Sequence, residues 1–173
     1  MKYDIVHLNS FNPLDMQLIK YREKWYGSDD HSRWVFKNDN LYYKIWNETY
    51  VRKDGVKTGL DCGFYDETTV PSFVALIYND DLCRGYVTKE CEDYRNDTSS
   101  FMKVIMDKTK ETEFFIYDVT GKHIMKFGDK FSLIDLEGIC SLSEYEDISN
   151  NRFNASFSSK KYKEFVGELY KNK

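Results

Sequence analysis

Three times in this chain a polar turn of Asn, Asp or Gly joins two short runs rich in aromatic and β-branched residues. Within residues 27–46, SRWVFK is followed by a turn at Asn38-Asp39-Asn40 and then by LYYKIW. A continuous apolar run from Phe73 to Tyr78 meets a turn at Asn79-Asp80-Asp81 and continues as CRGYVT. HIMKF and KFSLID fold back on each other at Gly128-Asp129. Turn-prone residues between β-rich runs signal hairpins, so the chain must build antiparallel sheet. In LYYKIW the two-residue period sends Leu41, Tyr43 and Ile45 to one face and Tyr42, Lys44 and Trp46 to the other. Lys44 is therefore expected beside two aromatic rings.

Helical periodicity is confined to fewer stretches. Glu48 to Phe64 is weakly helical and interrupted by Gly55 and Gly59. Thr98 to Glu113 carries Phe101, Met102, Val104, Ile105 and Met106 on a buried stripe. The best-patterned helix starts at a Ser158/Ser159 cap and spaces Tyr162, Phe165, Val166, Leu169 and Tyr170 for one apolar face. FFIYDV, at 114–119, has strand character. Strands first, then helix, hairpin and helix predict an α+β chain rather than an alternating parallel one. No repeat, linker or low-complexity tract divides its 173 residues.

Composition narrows the function classes. With 14 Tyr, 12 Phe and only 2 Pro the chain suits a sheet-containing fold. A net charge of −4 argues against a broad nucleic-acid footprint, and core packing accounts for the aromatics better than base stacking does. The N-terminal MKYDIVHLNSF lacks a signal-peptide pattern and no stretch has membrane-spanning length, so a cytoplasmic protein without a membrane partner is expected. Triplets starting at Asn47, Asn96 and Asn154 are then chance matches to glycosylation sites. Cys62, Cys83, Cys91 and Cys140 have no zinc spacing and are expected as reduced thiols. His7 and His31 are isolated, and G-x-S-x-G is absent.

Chemistry concentrates at the third hairpin. Folding at Gly128-Asp129 sets Asp135 opposite Lys122 or His123, and Asp118 lies just before on the polar loop DVTGKH. Two carboxylates thus meet at one hairpin mouth with a Lys and a His between them. Asp135 sits inside LIDL, where an unpaired buried charge costs several kcal/mol, and a cation or metal is the usual remedy. The plainer alternative is that Asp118 caps a turn and Asp135 ends a strand.

An Asp, four residues, a metal-binding position and a hairpin ending in a hydrophobic-Asp motif resemble the catalytic and metal-binding loops of protein-kinase-like enzymes. Here these are Asp118, V-T-G-K, His123 and LIDLEG. The resemblance implies that Asp118 orients or deprotonates the attacking hydroxyl and that Asp135, with His123, holds magnesium or manganese on the phosphates of ATP. It extends upstream from about residue 27. GSDDHS at 27–32 takes the place of the phosphate-covering loop, with one glycine where the family usually has three. LYYKIW takes the place of the strand bearing the phosphate-contacting lysine, Lys44, and CRGYVTKEC leads into a nucleotide-contacting hinge at Thr88 to Cys91, with Lys89 and Cys91 as contacts.

The chain departs from the family pattern in three ways. His123 stands where the family has Asn, and an imidazole suits manganese or zinc better than magnesium. No acid partner for Lys44 is obvious among Glu48, Asp54 and Asp61. Little chain follows Asp135, so a reduced C-lobe is expected. The resemblance therefore implies one kinase-like domain over 1–173, with a β-rich N-lobe at about 1–90 and a minimal, partly helical C-lobe at about 91–173. Its function would be transfer of a phosphoryl group from ATP to an unknown hydroxyl acceptor, a protein or a small molecule. A pseudokinase that binds nucleotide or regulates a partner is the first alternative. A small non-catalytic α+β interaction protein is the second.

Overall fold

A computed structural model describes residues 1–22, 33–46, 54–94, 96–119, 122–150 and 159–172. The chain is α+β. Among the described residues ten strands run as β1 (Asp4–His7), β2 (Gln17–Arg22), β3 (Arg33–Asn38), β4 (Leu41–Trp46), β5 (Phe73–Asn79), β6 (Leu82–Lys89), β7 (Phe114–Ile116), β8 (Ile124–Phe127), β9 (Lys130–Leu133) and β10 (Ile139–Ser141). The α-helices among the described residues are α1 (Gly55–Asp61), α2 (Ser99–Thr112), α3 (Tyr145–Asn150) and α4 (Lys160–Lys171). The chain divides into two compact units. One holds Lys2–Asp54 and Ser72–Glu90; the other holds Met1, Gly55–Pro71 and Cys91–Lys173.

The first unit is a six-stranded sheet in the order β1-β5-β6-β4-β3-β2. All three expected hairpins of the chain form, each around a two-residue loop whose first residue is left-handed: Asp39 at φ 51°, Asp80 at φ 51° and Gly128 at φ 62°. Asp and Gly tolerate that region where most side chains do not, which is why these residues punctuate the strands. Ile45, Ala75, Ile77 and Val87 form the core of one face, with Leu41 and Tyr43 packed against it. The opposite face of β4 carries Lys44, whose ammonium sits 5.5 Å from the centre of the Tyr86 ring, as the alternation required. Trp46 is fully buried and donates its indole N–H to the Cys83 carbonyl at 3.2 Å. One pairing departs from the antiparallel expectation: β1 runs parallel to β5.

The second unit packs α1, α2 and α4 with two short ladders, β7/β10 and β8/β9. In α2 the buried residues are Phe101, Ile105 and Thr109, one per turn, while Met102, Val104 and Met106 are only half-buried. The stripe is narrower than the expected one because the helix offers a single edge to its neighbours. In α4, Tyr162, Val166 and Gly167 are buried, and Ser159 caps the first turn by accepting from the Tyr162 amide at 3.3 Å. Cys62, Cys83, Cys91 and Cys140 are free thiols. Among the described residues no helix is long and apolar enough to cross a membrane.

Some expected boundaries shift. The strand expected over 114–119 ends at Ile116, and after one further backbone hydrogen bond, from the Tyr117 amide, the chain enters the loop that leads to His123. The helix expected across Glu48 to Phe64 is restricted, within the described residues, to Gly55–Asp61. Phe64 and Tyr65 leave the helix axis and are buried instead. GSDDHS and Glu48 lie outside the described residues.

Candidate functional site

Two ladders fix the candidate site. In β8/β9, Ile124 pairs with Leu133 and Phe127 with Lys130, the register anticipated from the Gly128-Asp129 turn. The Ile134 amide extends this ladder by donating to the His123 carbonyl at 3.0 Å. In β7/β10, Ile116 pairs with Ile139, and the Tyr117 amide donates to the Gly138 carbonyl at 3.0 Å. Asp118 follows the end of one ladder directly, and Asp135 stands between the two. Both loop ends are held by backbone hydrogen bonds, so neither aspartate depends on its own side chain for position.

The result is a cluster. A donor atom from each of Asp118, His123 and Asp135 lies within 4.8 Å of the others. His123 Nε2 is 3.5 Å from Asp135 Oδ2, and His123 Nδ1 is 4.0 Å from Asp118 Oδ1. Nδ1 also lies 2.9 Å from the Asp118 backbone carbonyl oxygen. His123 and Asp135 are mostly covered, whereas the Asp118 carboxylate is nearly half exposed, at 47 %. The flanking Val119, Ile124, Leu133 and Leu136 are buried. Two carboxylates and an imidazole can hold a divalent cation, and this donor set fits one.

An anchor from outside the hairpin was not evident in the sequence. The Tyr65 hydroxyl, fully buried, donates to the Leu136 carbonyl at 2.6 Å and so pins the residue after Asp135. The Leu133 amide donates to the Thr69 carbonyl at 2.9 Å, tying β9 to the same upstream segment. Nothing in the pattern CGFYDETT distinguishes this tyrosine as a partner of residues so far along the chain.

The other candidate residues are distributed differently. Lys44 and Lys89 belong to the sheet unit, whereas Cys91, Asp118, His123 and Asp135 belong to the other. Lys89 ends β6, its side chain exposed and its amide donating to the Ser72 carbonyl at 2.7 Å. Next to it Glu90 takes a hydrogen bond from Lys37 at 2.6 Å and one from the Tyr42 hydroxyl at 3.1 Å. The Lys37 bond is the leading reason the Glu90 carboxyl is held below its usual range. Cys91 is half-buried. Of the acids considered for Lys44, Asp61 is paired with Lys57 one helical turn away, and Asp54 is exposed.

No known family model matches the chain, and no curated protein does.

Proposed function

We propose that this chain is a compact kinase-like phosphotransferase that takes ATP and a divalent metal and phosphorylates a hydroxyl acceptor. The observation that carries the proposal is the hairpin register that brings Asp118, His123 and Asp135 within 4.8 Å of one another. The order of elements supports it as well: Lys44 lies on the third strand of an antiparallel run, and a helix, α1, follows before the next hairpin. That is the order in which kinase-like enzymes present their phosphate-contacting lysine.

On this proposal Asp118 orients the acceptor hydroxyl and takes its proton as the oxygen–phosphorus bond forms and the bond from the γ-phosphorus to the ADP leaving oxygen breaks. Its exposed carboxylate is reachable by an acceptor. Asp135 would hold the metal, and Lys44 would contact the phosphates of the bound nucleotide. The metal, when bound, supplies neutralisation of phosphate charge. Lys89 and Cys91 belong to the segment assigned to the nucleotide base. Positioning and charge stabilisation dominate phosphoryl transfer, so a small scaffold suffices.

His123, where the resemblance has Asn, favours a second reading, a nucleotide-binding module without transfer. Thermal-shift titration with ATP plus magnesium, manganese or zinc, followed by a labelled-phosphate transfer assay, separates the two. A shift with transfer that is lost in Asp118→Asn, binding retained, supports the enzyme. A shift without transfer or hydrolysis supports the binding module. No shift with any nucleotide sinks both and leaves a non-catalytic interaction protein.

A further inference from the structure

Asp135 stands in a short stretch between β9 and β10, and a loop far back in the chain grips that stretch on both sides. On the near side the Leu133 amide donates to the Thr69 carbonyl at 2.9 Å and the Ile134 amide to the His123 carbonyl at 3.0 Å. On the far side the Tyr65 hydroxyl donates to the Leu136 carbonyl at 2.6 Å. Asp135 is thus the middle of the span from Ile134 to Leu136, with both ends tied down.

The loop that carries Tyr65 and Thr69 is braced from within. The Thr69 hydroxyl donates to the Phe64 carbonyl at 2.8 Å, and the Val70 amide to the Asp66 carbonyl at 2.8 Å. Asp66 Oδ1 accepts from the Thr68 amide at 2.8 Å and from the Thr68 hydroxyl at 2.6 Å. The Tyr65 amide donates to the Gly59 carbonyl of α1 at 2.8 Å. Gly59 also makes room for the Tyr65 ring, since a methyl group there would collide with two ring carbons. Tyr65, Thr69, Leu133 and Leu136 are fully buried, so water does not compete for these bonds. A phenylalanine would fill the same space. What tyrosine adds is a hydroxyl, which burial disfavours unless it finds a partner, and its partner is the carbonyl of the residue after Asp135.

We infer that Tyr65 is a positioning residue of the candidate site. Its hydroxyl fixes the course of the backbone beyond Asp135 and so holds the Asp135 carboxylate 3.5 Å from His123 Nε2, within the cluster that includes Asp118. Without that bond the Leu136 peptide can turn, and the neighbouring carboxylate moves with it. Functional groups act together only when held to within about 0.5 Å, so a small turn is enough to matter. This deepens the function proposed above and rests on it only for what the Asp135 carboxylate holds.

Asp135 is read directly, without any ligand, by the side-chain carboxyl carbon-13 resonance of the full chain labelled at aspartate, assigned by its loss in Asp135→Asn. In Tyr65→Phe that resonance is expected to move or split. Gly59→Ala keeps the hydroxyl but drives the ring aside, and should move the same resonance. Ser159→Ala, which removes the cap of α4, should leave it in place and so controls for a general loss of stability. Manganese(II), titrated without nucleotide and followed by the electron-spin signal of the free ion, gives the functional readout. Tyr65→Phe should bind it at least about tenfold more weakly than the parent, the usual loss when a group that orients a ligand is removed. Ser159→Ala should bind it as the parent does. An Asp135 resonance unmoved in Tyr65→Phe, or moved as far in Ser159→Ala, would overturn the inference, as would equal manganese affinity in parent and Tyr65→Phe. A moved resonance in a protein whose parent takes no manganese would refute the metal role proposed above and leave the positioning by Tyr65 standing.

Discussion

Gly85→Ala tests whether the sheet is packed as tightly around Lys44 as the structure has it. Gly85 lies in β6 opposite Ile45 of β4, at the centre of the six-stranded sheet. A methyl group there would stand 2.0 Å from the Lys44 carbonyl oxygen, 3.0 Å from its carbonyl carbon and 3.1 Å from the Ile45 Cα. All three are backbone atoms of a central strand, so no side chain can swing aside. Restoring ordinary contact needs the strands to part by over an ångström, and an N–H···O bond stretched that far is lost. One or two ladder bonds at about 1 kcal/mol each, plus about 1–3 kcal/mol of overpacking, sum to about 2–5 kcal/mol. For a chain of this size that corresponds to a fall in melting temperature of roughly 5–15 °C. Urea unfolding followed by tryptophan fluorescence, to which the fully buried Trp46 contributes, measures the loss. Amide exchange should show it first in β4 and β6. A Gly85→Ala protein within about 0.5 kcal/mol of the parent would refute the close approach, since ordinary surface substitutions stay in that range.

Other perturbations reach the second unit. Tyr65→Phe removes the hydrogen bond to the Leu136 carbonyl and should cost about 0.5–1.5 kcal/mol in urea unfolding, with faster amide exchange over residues 134–138. Ser159→Ala removes the cap of α4 and should cost about 1 kcal/mol by the same assay. Burial pushes the Tyr162 hydroxyl well above the ordinary tyrosine value, outweighing its hydrogen bond to Thr109. The folded chain therefore holds that proton more tightly than the unfolded one. Its contribution to stability is complete below the ordinary value near 10.0 and is lost as pH rises through the folded value. Stability measured by denaturant midpoint should decline above that pH, and less steeply in Tyr162→Phe. Some slope should remain, because burial raises Tyr145 and Tyr170 too.

The hairpins and the meeting of the two aspartates were legible in the sequence because they are set by short-range forces. Asp39, Asp80 and Gly128 supply the left-handed turn residues, and alternation in LYYKIW decides which way Lys44 points. Once the third turn is placed, backbone pairing brings His123 beside Asp135. Of the two serines expected to cap α4, Ser159 does so, and Ser158 lies outside the described residues.

What joins distant segments was decided only by tertiary structure. Tyr65 and Leu136 are 71 residues apart, and Thr109 and Tyr162 are 53 apart. Each is a hydrogen bond between groups that must find a partner once buried, and local pattern does not say which partner. The parallel pairing of β1 with β5 is of the same kind, as is the grouping of Gly55–Pro71 with the residues from Cys91 onward. Turn chemistry and strand period are properties of neighbours along the chain. By contrast, the anchoring of Leu136 depends on which surfaces are packed together, and only the folded chain brings those into contact.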